Sequence, residues 1–321
     1  QVISMVSLPD FNPNYLSSNN VKGLFNQATQ GVYEMGSTFK IFTIAMALDS
    51  GEITIQDRYD ASEPIRVGRF LIRDYRPKNR WLSIPEILLH SSNIGSAKIA
   101  LDIGRHRQRD FLGKLGLLER PTLELDKQEL GSPIIPDPWR DVNAMTIAYG
   151  HGIAVSPIQI ISAVAAVING GIYYEPTLLL TRSSRKGRRI ISKNTSDKIR
   201  RLLRLVVSEG SGRKAEAKHY LVGGKTGTAE KVRDQAYERK ALRSSFVGAF
   251  PMNKPKYVVF AMVDEPIGDK DSRGHATGGW VAAPLVGKLI AQIAPLLGVK
   301  PINYEIPKVR NQMAIGIGTK K

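Results

Sequence analysis

Apolar positions along the 321-residue chain change spacing, from strand-like near the two ends to helix-like in the middle. Residues 2–9, "VISMVSLP", are a short apolar run broken only by Ser4 and Ser7 and read as a strand. Late in the chain, "YLVGGKTGTAEK" (220–231), "SSFVGAFP" (244–251) and "YVVFAMVDEP" (257–266) read as successive antiparallel strands. Between them, helical patterning predicts helices over 37–49, 84–90, 93–103, 108–114, 140–149, 157–168 and 195–209, and a closing helix follows at 279–296. The helix at 157–168 is well punctuated. Ser156 stands at its N-cap, Pro157 at its first position, and Asn169-Gly170-Gly171 ends it. This layout predicts an α/β (α+β) fold with one antiparallel sheet built from both chain ends and an inserted helical lobe. The sheet lobe would comprise about 1–36 and 216–298, the helical lobe about 37–215, and residues 299–321 an extended tail.

With 42% hydrophobic and 23% charged residues, the chain has the make-up of a globular domain with a substantial core. The longest apolar run, 154–168, is interrupted by Pro157 and Gln159 and is too short to span a bilayer. No signal peptide opens the chain; beginning within a strand implies a missing upstream segment. The absence of cysteine excludes disulfides and thiolate chemistry, and five scattered histidines without metal-ligand spacing predict neither metal nor cofactor. A net charge of +17 favours anionic partners such as a membrane surface or an acidic polymer. The densest basic cluster, "RSSRKGRR" (182–189), reads as a solvated turn, and Arg200, Arg201 and Arg204 ride on a helix whose Ile199, Leu202, Leu203 and Val206 face inward. Aromatic residues are not interleaved with the basic runs, so nucleic acid is not an expected partner.

Three short motifs carry chemistry. Ser37 to Lys40 fits S-x-x-K and opens an apolar helix, which brings the hydroxyl and the amine to one face. The same pattern also fits Ser183 to Lys186 and Ser211 to Lys214, but those lie in basic or Gly-rich loops. Ser91-Ser92-Asn93 fits S-x-N between two helical segments, whereas other S-x-N matches, at 17–19, 18–20 and 192–194, lack that setting. Lys225-Thr226-Gly227 occurs once, on a predicted strand. A Walker A reading of "GGKTGT" fails, because the required upstream glycine is His219 and the loop would have to open a helix. In order, S-x-x-K, S-x-N and K-T-G form the set of the penicillin-recognising serine transferases and hydrolases.

Through "MVSLPDFNPN", "GSTFK", "LLHSSNIGSAKIA", "AYGHGIAVSPIQ" and "GGKTGTAEK", residues 1–298 resemble the transpeptidase domain of class B penicillin-binding proteins, of the division-specific type. Asn93 and Thr226 favour that subtype, since elongation-type relatives often carry Asp and Ser there; Met35 departs from the proline common before the Gly-Ser pair. The resemblance implies a peptidoglycan D,D-transpeptidase that cross-links stem peptides and is acylated by β-lactams. Ser37 would be the nucleophile, Lys40 its base, Ser91 a proton relay to the leaving D-alanine, and Asn93 an orienter of substrate amides. Lys225, Thr226 and the Thr228 hydroxyl would bind the terminal carboxylate, Gly227 would allow close backbone approach, and the Ser37 and Thr228 N–H groups would form an oxyanion hole. It further implies a bacterial inner-membrane protein held by an upstream anchor, its catalytic domain periplasmic and its partners divisome membrane proteins, a glycosyltransferase among them.

A β-lactamase, a D,D-carboxypeptidase or a non-turnover β-lactam sensor would share the acylation step. Glu34 and Glu86 lie near the motifs in sequence and are the carboxylates to weigh for water activation, while His275 in "RGHATGGW" reads as a structural residue near the cleft.

Overall fold

The computed structural model describes residues 1–15, 21–68, 70–180, 185–233, 236–304 and 306–316. After a short helix α1 (Val21–Leu24), a 3-10 turn at Gly36–Phe39 leads into α2 (Lys40–Ser50). Every residue of α2 from Lys40 to Leu48 is buried, so it is a central core helix rather than an amphipathic surface one. Two small hairpin-like pairs follow, β1 (Arg58–Asp60) with β4 (Trp81–Ser83) and β2 (Ile65–Val67) with β3 (Phe70–Ile72). Then come α3 (Ile84–His90), α4 (Asn93–Ile103), α5 (Arg105–Lys114), α6 (Asp141–Ile147) and α7 (Pro157–Ile168). Short strands β5 (Ile172–Tyr173) and β6 (Arg188–Arg189) pair before α8 (Lys193–Ser208).

The main sheet is antiparallel, in the order β7 (Gly223–Arg233), β8 (Ala236–Phe250), β9 (Tyr257–Asp264). Successive residues of β8 serve opposite faces, as the period of two requires. Phe246 and Phe250 pack with Val286 and Ile290 of α9 (Ala282–Leu296), while Val247 and Ala249 join the core that contains α2, α7 and α8. Helix α10 (Pro307–Met313) follows. The predicted helices are found within a few residues, and Ser156 forms a capping box with Gln159 at the start of α7.

Three expectations need correction. Residues 2–9 form no strand and do not join the sheet. A short apolar run is compatible with extended backbone, but joining a sheet needs an unpaired edge within reach; here the Val2 N–H bonds the Thr177 carbonyl at 2.8 Å, and Ser7 Oγ accepts from the Gln27 N–H at 2.9 Å. Ile3, Val6 and Leu8 are left exposed. Nor is the tail after 298 extended throughout, because Met313 of α10 is buried and Tyr304 packs against the core. Arg204 is not on a solvated face: it is buried and donates to Glu216 Oε2 at 2.5 Å and to the Val222 carbonyl at 2.7 Å, tying α8 to the approach to β7. Of the basic 182–189 cluster, residues 182–184 lie outside the described residues, and Arg188–Arg189 are exposed in β6.

Candidate active site

Ser37 lies in the 3-10 turn that opens α2, and two glycines explain how that turn reaches the sheet. Gly36 has φ of +51°, and a β-carbon there would overlap the Thr228 carbonyl of β7. From the other side, Gly150 (φ +83°) has no room for a β-carbon beside the Gly36 carbonyl, and the Gly36 N–H bonds the Gly150 carbonyl at 3.2 Å. The serine turn is clamped between β7 and the 149–152 loop. Met35 is buried, so the departure from proline adds core packing.

One helical turn on, Lys40 is completely buried and gathers the second motif. Its Nζ lies 2.8 Å from Ser37 Oγ, 2.9 Å from the Ser91 carbonyl, 3.1 Å from Ser91 Oγ and 2.7 Å from Asn93 Oδ1. Ser91 caps α3 in the left-handed region (φ 58°, ψ 45°), where a non-glycine residue is held only by its surroundings. That kink turns both its carbonyl and its hydroxyl toward Lys40, and the hydroxyl donates to Ser37 Oγ at 2.9 Å. From β7, the buried Lys225 donates to the same Ser91 Oγ at 3.1 Å and to the Thr226 carbonyl at 3.1 Å. Five predicted residues, Ser37, Lys40, Ser91, Asn93 and Lys225, thus share one hydrogen-bond network.

The electrostatics follow from burial. Desolvation, reinforced by the Lys225 charge and opposed by Asp74, holds Lys40 well below the ordinary lysine value. Desolvation also brings Lys225 down to about 7. Burial lowers His151 to about 4, with a further push from the neighbouring Lys40 amine whenever that group is charged.

Thr226 Oγ1 lies 2.9 Å from Ser211 Oγ, and Thr228 Oγ1 accepts from the Gly278 N–H at 3.1 Å. Gly227 is fitted so tightly against the Met35 carbonyl and the Ser245 and Thr38 side chains that a β-carbon would displace them. Glu86 caps its own helix by accepting from the Ser83 N–H at 2.9 Å, and it pairs with Arg80 at 2.7 Å. Glu34 accepts from the Gly152 N–H at 2.7 Å and faces His151 Nδ1 at 3.4 Å. His275 stacks on Trp280, its ring centroid 5.1 Å away.

Sequence reasoning missed three contributors. Asp74 accepts from the Asn93 and Ile94 N–H groups at 2.6 and 3.0 Å and from Ser92 Oγ at 2.7 Å, fixing the start of α4. Nothing in its local sequence separates it from a loop aspartate. Ser211 fits S-x-x-K only within a Gly-rich loop, yet its hydroxyl meets Thr226. Tyr149 sets its ring 6.0 Å from Lys40 Nζ, and the sequence signal for it is "AYGHG", one of the segments that carry the family resemblance.

The penicillin binding protein transpeptidase domain model matches residues 1–291. The chain belongs to that family. It is 38% identical over 313 residues to a probable peptidoglycan D,D-transpeptidase FtsI of Caulobacter vibrioides, covering 94% of this chain and 52% of that protein. It is 33% identical to stage V sporulation protein D of Bacillus subtilis, covering 96% of this chain and 49% of that one. The chain therefore spans about half the length of these relatives. Among solved structures, the apo TP domain of Burkholderia pseudomallei penicillin-binding protein 3 superposes with a TM-score of 0.78 at 30% identity, covering 86% of this chain and 83% of that one. The mixed α/β fold with antiparallel sheets is that of penicillin-binding and serine β-lactamase-like proteins.

Proposed function

We propose that this domain is a septal peptidoglycan D,D-transpeptidase working through an acyl-enzyme on Ser37. The observation that carries the reading is the set of partners around Lys40. A neutral amine has two N–H donors and one lone pair. The Ser91 carbonyl and Asn93 Oδ1, both obligate acceptors at 2.9 and 2.7 Å, take the two donors. The lone pair is then left for the Ser37 hydroxyl at 2.8 Å, which is the arrangement a general base needs.

Ser37 Oγ attacks the carbonyl carbon of the penultimate D-alanine while its proton passes to Lys40. The Ser37 and Thr228 N–H groups hold the developing oxyanion; such a donor is worth about 2.7–4 kcal/mol in other enzymes. Collapse breaks the C–N bond, and Ser91, between Lys40 and Lys225, delivers the proton to the departing D-alanine amine. Asn93 orients the substrate amide, while Lys225, Thr226 and Thr228 hold the terminal carboxylate. The amine of a second stem peptide then attacks the ester, forming the cross-link and restoring Ser37. A β-lactam, mimicking the D-Ala-D-Ala end, acylates Ser37 and stays.

Residues 1–298 constitute the transpeptidase domain, with a helical lobe over about 37–215 and a sheet lobe over about 216–298, while the segment before Ser37 lies outside the sheet. The packing of α9 on one sheet face and of α2, α7 and α8 on the other supports that division. Among the described residues no helix is long and apolar enough to cross a membrane; an upstream anchor in the bacterial inner membrane, a periplasmic catalytic domain, and divisome partners including a glycosyltransferase complete the reading. Intact-protein mass spectrometry after incubation with a β-lactam tests it. One adduct per chain, mapped to Ser37 and lost in Ser37→Ala, is the expected result; an adduct surviving that substitution refutes it.

A further inference from the structure

Beside Asn93, on the helical-lobe wall of the site, lies a strongly basic loop that the acylation chemistry does not use. Between Arg66 and Arg80 the sequence "RVGRFLIRDYRPKNR" carries six cations, Arg66, Arg69, Arg73, Arg76, Lys78 and Arg80, against the single anion Asp74. Asp74 is fully committed, since one oxygen accepts from the Ser92 hydroxyl at the N-cap of α4 and the other from the Asn93 and Ile94 N–H groups. Arg80 is neutralised by Glu86. Arg69 lies outside the described residues. Arg73, Arg76 and Lys78 are exposed, and no ion pair among the described residues involves them. Tyr75, 77% exposed, stands among them, with the Arg76 guanidinium 6.0 Å from its ring centroid.

This loop is fixed to the active site rather than merely close to it. The Asn93 side-chain amide donates to the Arg73 carbonyl at 2.9 Å, while its oxygen accepts from Lys40. Asp74, the next residue, holds the backbone of Asn93 itself. The loop therefore starts one residue from the substrate-orienting asparagine and carries three unpaired cations away from it. A like-charged rim of this kind concentrates anions at the mouth of a cleft.

Resting on the transpeptidase reading, we infer that Arg73, Arg76 and Lys78 bind the free carboxylates of the peptide substrate outside its D-Ala-D-Ala end. Guanidinium groups suit this task because they grip carboxylates in a fork, and Tyr75 offers a face to the intervening peptide chain. Placement at the site, rather than at a distant face, favours substrate over an anionic lipid headgroup.

The test uses two synthetic peptides with the same D-Ala-D-Ala end, one with free internal carboxylates and one with those groups amidated. Wild-type enzyme should show the lower KM for the acidic peptide, with the advantage fading as salt rises. In the Arg73→Gln/Arg76→Gln/Lys78→Gln variant, KM for the acidic peptide should rise about tenfold, with kcat and the KM for the amidated peptide unchanged. The rate of penicillin acylation at Ser37 is read on the same samples. It should be unchanged, showing that the variant is folded and the chemistry intact. Equal KM for the two peptides in wild type, an equal rise for both in the variant, or no rise at all overturns the inference. So does loss of binding to phosphatidylglycerol vesicles with peptide KM unaltered, which would assign the loop to the membrane. No acylation in wild type would instead refute the transpeptidase reading.

Discussion

Lys40 and Lys225 each approach the Ser91 hydroxyl to 3.1 Å, and both are buried. Two ammonium groups in that space would repel one another and lose their hydration, so at least one proton must leave. The network assigns that loss to Lys40, whose two N–H groups already have acceptors. Lys40→Arg keeps a cation but no lone pair at neutral pH. Acylation by penicillin should then fall about 10²–10⁴-fold, the range of a lost general base, measured by stopped-flow with a fluorescent β-lactam. Lys225 makes a second expectation, for stability. Its value is about 7 in the folded protein against the ordinary 10.5, so between those limits the unfolded chain holds more protons. The penalty is in full force below pH 7 and is relieved as pH rises toward 10.5. Relative to Lys225→Met, the wild type should therefore gain stability from pH 6 to pH 9, read from urea midpoints; a parallel pH dependence for the two proteins would contradict it. The same substitution should weaken acylation at every pH.

At the scale of elements, the site hangs on how α4 begins. Its first N–H groups have no partners within the helix, and Asp74 supplies them from another segment. Asp74→Ala should cost about 1–3 kcal/mol, seen as a lower urea midpoint, because it leaves those donors unmet. It should slow acylation as well, through Asn93; full activity with lowered stability would limit Asp74 to a structural role. How far such elements were legible in the sequence varied with the range of the forces involved. α7 could be read to its ends because Ser156, Pro157 and Asn169 punctuate it locally. The Ser91–Asn93 break was equally visible between two apolar runs. Asp74 was not, since its partners are about twenty residues away and a loop leaves no periodic trace. The strand predicted at 2–9 failed for the complementary reason: its pattern was local and true of extended chain, but partnership is decided elsewhere in the fold. Ser211 belongs with Asp74, since it meets Thr226 across fifteen residues of chain.

The whole molecule decides what becomes of the acyl-enzyme. On the proposed mechanism, Ser37, Lys40 and an oxyanion hole would serve transferase and hydrolase alike, so acylation does not distinguish them. A hydrolase must also place a water against the ester and remove its proton. The two carboxylates that the sequence offered for that task are spent on holding the lobes in shape. Glu86, on α3, is tied to the Ser83 backbone and to Arg80, and desolvation notwithstanding, those partners keep it below the ordinary glutamate value. Glu34 holds the Gly152 N–H and faces His151, bracing the loop that clamps the Ser37 turn. His151 is itself lowered to about 4, too weak a base to activate water at neutral pH. Ring opening leaves a β-lactam's leaving group tethered to the acyl-enzyme, so on the transpeptidase reading it would also block the side from which an amine arrives. Nitrocefin should therefore give a burst of about one equivalent per chain, followed by very slow release. The burst amplitude and the steady rate after it are read in one absorbance trace, with Ser37→Ala as the blank. Glu34→Gln should leave that slow release unchanged, because Glu34 braces the turn and does not activate water. Sustained turnover at many cycles per second, abolished in Ser37→Ala and reduced in Glu34→Gln, would make the molecule a β-lactamase with Glu34 as its base.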